Sequence, residues 1–269
     1  MVYAVFVVSG LVLASLERLP GMRFRRAPLF RSLFGTDLVY LFTGFVAGTS
    51  VATAYVVAAS ALLGDLGVAR MADIHPPLWL GATIALVSLD AGNYAAHWLM
   101  HRVDALWEIH KVHHSSPTLD WLATFRSHIL EQVLRRLLAP LALIVLGLPL
   151  DATIVGASLF NAWAMFIHAN LRLELRALEP VLVTPRLHRI HHDPATSHRN
   201  FGTFLTLWDR LLRGRFATSD VVPEVRFGVP GEIDTYPQGW WPQLLEPARR
   251  MTGAAMASRL IASSGSPGR

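Results

Sequence analysis

"LVYLFTGFVAGTSVATAYVVAASALLG", residues 38–64, runs for 27 residues without one charged side chain. As an α-helix rising about 1.5 Å per residue it measures about 40 Å, more than the roughly 30 Å hydrocarbon core of a bilayer. The stretch therefore reads as a transmembrane helix, and it sets the expected fold class: an all-α, integral membrane helical bundle. Composition agrees, with 52% hydrophobic and only 16% charged residues and a mean hydropathy of +0.38.

Three further apolar regions flank this one. Val2 to Leu16 is short and lacks both the basic leading segment and the small-residue cleavage site of a secretory signal, so it reads as an uncleaved first span. Leu78 to Leu89 is interrupted by Asp90 and resumes through Met100. Leu137–Leu150 and Ala152–Ile167 flank "GLPLD" and read as a tilted or partial hairpin. About four transmembrane helices are expected, with a cytoplasmic helical cap. The chain divides into a membrane anchor (1–89), a histidine-bearing region (90–215) and a partly disordered tail (216–269), whose end, Gly253 to Arg269, is small and polar.

The net charge is +5 and the sequence pI about 10.2, which raises the question of nucleic acid. The basic residues do not form a stripe interleaved with aromatics, so no nucleic-acid partner is expected. They flank apolar spans instead: "ERLPGMRFRR", Glu17 to Arg26, and Arg31 follow the first one, and such an excess marks the cytoplasmic side. With that loop inside, 38–64 runs outward and Leu78–Met100 runs back, so His97 and His101 emerge at the cytoplasmic face. The Leu137–Ile167 hairpin returns His168 to the same face, while His75, in "DIHPP", falls at the outer end of a hairpin. A bacterial inner-membrane protein with its histidines facing the cytoplasm is the expectation. Cysteine is absent, which removes disulfides, thiolate metal sites and cysteine nucleophiles. No Gly-rich phosphate loop or dinucleotide fingerprint occurs, so electrons for any redox reaction are expected from a separate donor protein.

The chemistry is concentrated in imidazole. "HWLMHRVDALWEIHKVHHSSP", His97 to Pro117, holds five of the twelve histidines, His97, His101, His110, His113 and His114, and the H-x-x-H-H spacing recurs as His188, His191 and His192 in "LHRIHHD". His168, in "FIHAN", stands between them. A lone histidine is usually structural, but residues three and four apart share a helical face, and two such units with an H-x-x-x-H unit are improbable by chance. Nine imidazoles exceed what one metal uses and suit two ions with four or five ligands each. Imidazole alone is compatible with iron, zinc, copper or nickel. A proton relay or pH sensor at a membrane surface is the competing reading of the same residues.

"HWLMHR", "HKVHHSS", "FRSHILE", "FIHANLRL", "VTPRLHRIHH" and "NFGTFLTLWDRL" together resemble the membrane-bound fatty acid hydroxylase and sterol desaturase family, in order from about Asp90 to Leu212. The resemblance implies two iron ions that use O2 and two electrons to hydroxylate or desaturate a lipid. It also implies the metal ligands and catalytic residues: His97, His101, His110, His113, His114, His168, His188, His191 and His192. His128 matches a family position as ligand or as a partner of one. Asp90, two helical turns before His97, Asn170 and Asn200 are candidates to hold ligand rings by hydrogen bonds. His198, in "SHRNFG", stands where relatives often carry an acid and is excluded as a ligand. Arg126 and Glu131 are expected as a pair, Asp209 as structural, and Trp98, Trp107, Trp121 and Trp163 as channel lining or interface anchors. "LLRGRF", Leu211 to Phe216, departs from the "LFGT" of relatives. Zinc binds all-imidazole sites well and can replace iron on purification. Hydroxylation of a fatty acyl, sterol or related lipid is the leading reading, desaturation the alternative within the same chemistry, and a non-catalytic membrane protein that binds or transports metal the alternative outside it.

Overall fold

A computed structural model describes residues 2–28, 30–68, 70–212, 216–221 and 223–264. Among them there are helices and two isolated β-bridges, Arg23 with Leu171 and Leu182 with Leu205, but no strands. The helices are α1 (Val2–Leu16), α2 (Phe34–Tyr40), α3 (Ala47–Asp65), α4 (Leu78–Met100), α5 (Asp104–His114), α6 (Ile129–Leu138), α7 (Leu141–Leu146), α8 (Leu150–His168), α9 (Pro185–His192), α10 (Leu207–Leu211) and α11 (Trp240–Ser264). A π-helical stretch, Leu41–Val46, joins α2 to α3.

Two helical stretches are long and apolar enough to cross a bilayer: Phe34–Asp65, which contains the uncharged run, and Leu150–His168. α1 is apolar but only 15 residues long. α4 has the length, 23 residues, but its second half carries Asp90, Asn93 and His97, all buried. The hairpin expected over Leu137–Ile167 has unequal arms. α8 is continuous, while the preceding arm breaks at Ala139–Pro140, because proline supplies no N–H to continue a helix, and α7 lasts only six residues. It ends on Gly147, whose φ of 59° is the left-handed conformation that glycine adopts without strain.

α4 and α8 form the central pair, and small residues let them approach closely. A β-carbon on Gly156 would lie 2.6 Å from that of Ala85 and 2.7 Å from the carbonyl oxygen of Ala82; close backbone approach of this kind gains dispersion contacts without needing water exclusion. α1 packs on the other side of α8 around Leu13, Leu122, Phe125, Met165 and Leu171. Glu17, just past α1, accepts hydrogen bonds from the backbone N–H groups of Trp121 and Asn170, which locks this side of the bundle. The segment after residue 216 includes α11, which packs back on the rest of the chain. Gln243 of α11 is fully buried, accepting a hydrogen bond from the Tyr40 hydroxyl and donating to Ser115 Oγ. Residues 213–215, within the "LLRGRF" departure, and 265–269, at the chain's end, lie outside the described residues.

Candidate metal centre

α9 begins with Thr184, whose hydroxyl accepts a hydrogen bond from Leu187 N, followed by Pro185 in the first turn. Both choices favour a helix start. All eight of its residues are buried, including Arg186, which pairs with Glu179, and Arg189, whose guanidinium lies over the Phe24 ring and bonds the Leu171 carbonyl. α9 is thus an interior helix, with His191 and His192 against the end of α5 where His110, His113 and His114 are buried.

The nine histidines collect in two adjoining groups. His97, His101, His110, His114 and His191 form one; His113, His168, His188 and His192 form the other, and within each group one ligand atom per residue lies within 4.8 Å of all the others. Helix geometry explains the division. Residues four apart differ by about 40° around a helix, while consecutive residues differ by about 100°. In α5, His110 and His114 therefore share a direction and His113 diverges; in α9, His188 and His192 share one and His191 diverges. Each H-x-x-H-H unit gives a pair to one group and its odd member to the other. His97 and His101, four apart at the end of α4, complete the first group, and His168 at the end of α8 completes the second.

Backbone carbonyls set the orientation of four rings. Phe201 O faces Nδ1 of His97 at 2.8 Å, Arg126 O that of His113 at 3.0 Å, Ala164 O that of His168 at 2.8 Å, and Arg199 O that of His191 at 2.9 Å. A carbonyl only accepts, so each Nδ1 carries the proton and each Nε2 carries a lone pair. Those lone pairs point inward. Nε2 of His97, His110 and His191 is buried with no hydrogen-bond partner. Elsewhere Nε2 faces Nε2, at 3.0 Å for His188 and His168, 3.1 Å for His192 and His188, 3.2 Å for His114 and His101, and 3.3 Å for His168 and His113. In the His113–His168 pair both Nδ1 protons are held by carbonyls, so both Nε2 atoms are acceptors, and acceptor atoms turned toward one another in a buried space are costly unless a cation lies among them. The donor set fits two metal ions on this ground. Burial first, and then neighbouring imidazoles, hold His110, His114, His188, His191 and His192 well below the usual imidazole range, and His113 at about 3. The rings are neutral, as a ligand must be.

Glu131 is a residue that sequence reasoning paired wrongly. It was expected against Arg126, but Arg126 points its Nε to Asp37 Oδ1 at 2.6 Å, and Asp37 also pairs with Arg31. Glu131 Oε1 lies 3.0 Å from Nδ1 of His110 and 2.9 Å from Nε of Arg135. No spacing rule links residue 110 to residue 131; only the packing of α5 against α6 brings them together.

The four residues expected to hold ligand rings act one step further out. Asp90 lies about 10 Å along the helix axis from His97, too far for its short side chain. It accepts instead from Phe204 N, Leu205 N and Trp208 Nε1 at 2.8–2.9 Å. Asp209 accepts from Phe201 N and Gly202 N, both at 2.9 Å, so the two carboxylates pin the loop whose Phe201 carbonyl orients His97. Asn170 bonds the backbone of Arg25 in both directions. Asn200, at a left-handed φ of 55°, ties Leu187 O of α9 to Ala217. His128 caps α6, accepting from Leu130 N through Nδ1, while its Nε2 meets Leu244 O at 3.0 Å. It belongs to neither metal-ligand group. His198 is exposed at the rim, 5.8 Å from His101 between ring centres, and His75 is exposed just before α4.

A cavity of about 320 Å³ opens beside the histidines between α3, α6, α7 and α8. His97, His113, His168 and His188 form one end, and side chains such as Val56, Leu143, Ile154 and Phe160 form the walls. None of the four tryptophans considered as channel lining is among its lining residues; Trp163 bonds Val183 O, and Trp107 packs on His101.

Residues 82–214 match the family model described as fatty acid hydroxylase. The chain is 30% identical over 176 residues to ornithine lipid hydroxylase of Rhizobium tropici, covering 65% of this chain and 52% of that protein. It is 31% identical over 156 residues to alkylglycerol monooxygenase of Danio rerio, 57% of this chain and 34% of that one. To Delta(7)-sterol 5(6)-desaturase of Eremothecium gossypii it is 29% identical over 136 residues, 50% and 37% respectively. The match thus spans between a third and about half of these relatives. No solved structure matches the chain. Motif spacing, the gathered imidazoles and these matches agree: through residues 82–214 the chain belongs to the fatty acid hydroxylase family.

Proposed function

We propose that the protein is a membrane-bound oxygenase that hydroxylates a lipid at a C–H bond, using two iron ions, O2 and two electrons from a separate donor protein. The observation that carries this reading is the inward turn of nine buried, neutral imidazoles beside an apolar cavity. The relatives' names, ornithine lipid hydroxylase and alkylglycerol monooxygenase, favour a lipid and favour hydroxylation. His97, His101, His110, His114 and His191 would hold one ion, and His113, His168, His188 and His192 the other. Iron would supply what side chains cannot, an oxidant able to take hydrogen from an unactivated carbon.

The chain's own contribution is placement and exclusion. The cavity takes the alkyl portion of the substrate and presents one carbon toward His97, His113, His168 and His188. Its hydrocarbon walls keep bulk water from that carbon. The carbonyls of Phe201, Arg126, Ala164 and Arg199 keep protons on Nδ1 so that Nε2 stays free to bind metal, and the negative charge of the Glu131 carboxylate, 3.0 Å from His110 Nδ1, favours a proton there too. In the overall reaction one oxygen atom enters the C–H bond and the other leaves as water, which consumes two protons with the two electrons.

The same reading puts the protein in a membrane with its histidines at the cytoplasmic face. α1, α2 with α3, α4 and α8 would form the membrane body. Large apolar side chains exposed along these helices, Val8 and Leu11, Val51 and Leu62, Trp79 and Leu159 among them, suit contact with lipid rather than water. Desaturation remains the alternative because Delta(7)-sterol 5(6)-desaturases are among the relatives.

The test is the metal-to-protein ratio of the gently solubilised protein and of His113→Ala, followed by turnover of a lipid extract under 18O2 with a reductant. About two ions per chain, fewer in the variant, and an 18O-labelled lipid alcohol are expected. An unlabelled olefin would favour the desaturase. A folded protein that binds no iron would refute the reading.

A further inference from the structure

Besides the histidines, the charged side chains that line the cavity, Glu131, Arg135 and Arg136, all come from α6. Two of the three neutralise each other: Arg135 donates to Glu131 at 2.9 Å and to Asn93 Oδ1 at 2.5 Å. Arg136 has no carboxylate partner among the described residues. It donates to Gly44 O at 2.5 Å and to Gln132 Oε1 at 3.1 Å, two bonds from a group with five N–H donors. Burial without an acid pushes its pKa below the ordinary arginine value.

α6 docks on the other side of the cavity mouth in a way that fixes this cation. Gly44 and Gly48 are four apart on the helical stretch leading into α3, and Gln132 and Arg136 are four apart on α6. A β-carbon on Gly48 would lie 2.0 Å from Arg136 Cζ, and one on Gly44 would lie 2.1 Å from Gln132 Nε2. The two glycines form a trough in which the guanidinium lies. A strongly hydrated or mobile lysine would not need such a seat; a planar guanidinium held at its edge is suited to bidentate recognition of a carboxylate or phosphate.

We propose that Arg136 binds the anionic group, carboxylate or phosphate, of an amphiphilic substrate whose alkyl portion fills the cavity. This deepens, and rests on, the lipid-oxygenase reading above.

The experiment is equilibrium binding of a fluorescent conjugated-polyene fatty acid and of its methyl ester to the full-length protein in neutral detergent. Wild type is expected to prefer the acid by about tenfold or more, the effect of one charge-assisted contact. Arg136→Gln should lose that preference while still binding the ester, and Ala157→Phe, which fills the cavity, should weaken both probes. A monoalkyl phosphate and the corresponding alcohol, used as competitors, distinguish phosphate from carboxylate recognition. Equal binding of acid and ester by wild type overturns the proposal alone and leaves the lipid reading standing. So does a preference that survives Arg136→Gln. Acid binding that survives Ala157→Phe but needs Arg136 would place the anion on the surface, at a bilayer headgroup position, and also overturns it. If neither probe binds the folded wild type, the lipid reading itself fails.

Discussion

Glu131→Gln tests how the chain tunes its metal centre. The carboxylate is 1% exposed, and one oxygen accepts a hydrogen bond from Arg135 Nε at 2.9 Å and lies within ion-pair range of His110 Nδ1, at 3.0 Å. Glutamine keeps the shape and one carbonyl oxygen but removes the negative charge, so His110 becomes a weaker base and Arg135 loses its counter-ion. Loss of such a partner typically costs 10–100-fold in metal affinity, or about 1.4–2.7 kcal/mol. Only the five-imidazole group contains His110. In a chelator titration of the metal-loaded protein, one ion per chain should therefore leave at roughly 10–100-fold weaker competition, while the ion of the four-imidazole group is released as in wild type. Unchanged melting of the metal-free proteins would show that the fold is intact. Equal weakening of both ions would mean general damage rather than ligand tuning, and a change below about twofold would show that Glu131 does not act through His110.

Three further outcomes follow from the packing. Gly156→Val should lower the melting temperature and reduce metal loading, since its β-carbon would meet Ala85 and the Ala82 carbonyl below 3 Å on helices that carry histidines of both groups; Gly35→Ala, with nothing within 4 Å, should be silent in the same assay. Glu17 is held at about 7, above its ordinary 4.5, first by burial and then by Asp120. A raised carboxyl pKa favours the folded state at low pH, and that advantage is lost as pH climbs from 4.5 through 7. Both of its N–H donors use one oxygen, which glutamine retains. Glu17→Gln should therefore flatten the pH dependence of melting and stabilise the protein above pH 7, by at most about 3 kcal/mol; a melting curve as pH-dependent as wild type would refute this. Because the chain has no cysteine, Ile74→Cys and Val103→Cys, both at exposed positions flanking α4, can be labelled singly. Membrane-impermeant reagent should reach them from opposite sides in vesicles, and labelling from one side would refute the crossing by α4.

The sequence by itself determined what local chemistry can determine. Twenty-seven uncharged residues cannot sit as a loop, and a helix of that length follows from the need to satisfy backbone groups within apolar surroundings. Histidine is the residue that the proposed metal chemistry would use in the absence of cysteine, and the three- and four-residue spacings marked candidate ligands and helped carry the family resemblance from which the proposed set comes. Even the split of each H-x-x-H-H unit is implicit in the 100° step of the helix. Which pair meets which odd member was not, because that depends on how α5 lies against α9. Arg126 finds Asp37 across 89 positions of chain, and Asp90 reaches a loop more than a hundred residues away rather than the histidine two turns along its own helix. The carbonyls that fix the rings leave no trace in side-chain spelling, since every residue has one. Only the tertiary structure decided these contacts: a buried charge or ring takes the nearest partner in space, and for these residues that partner is distant in sequence.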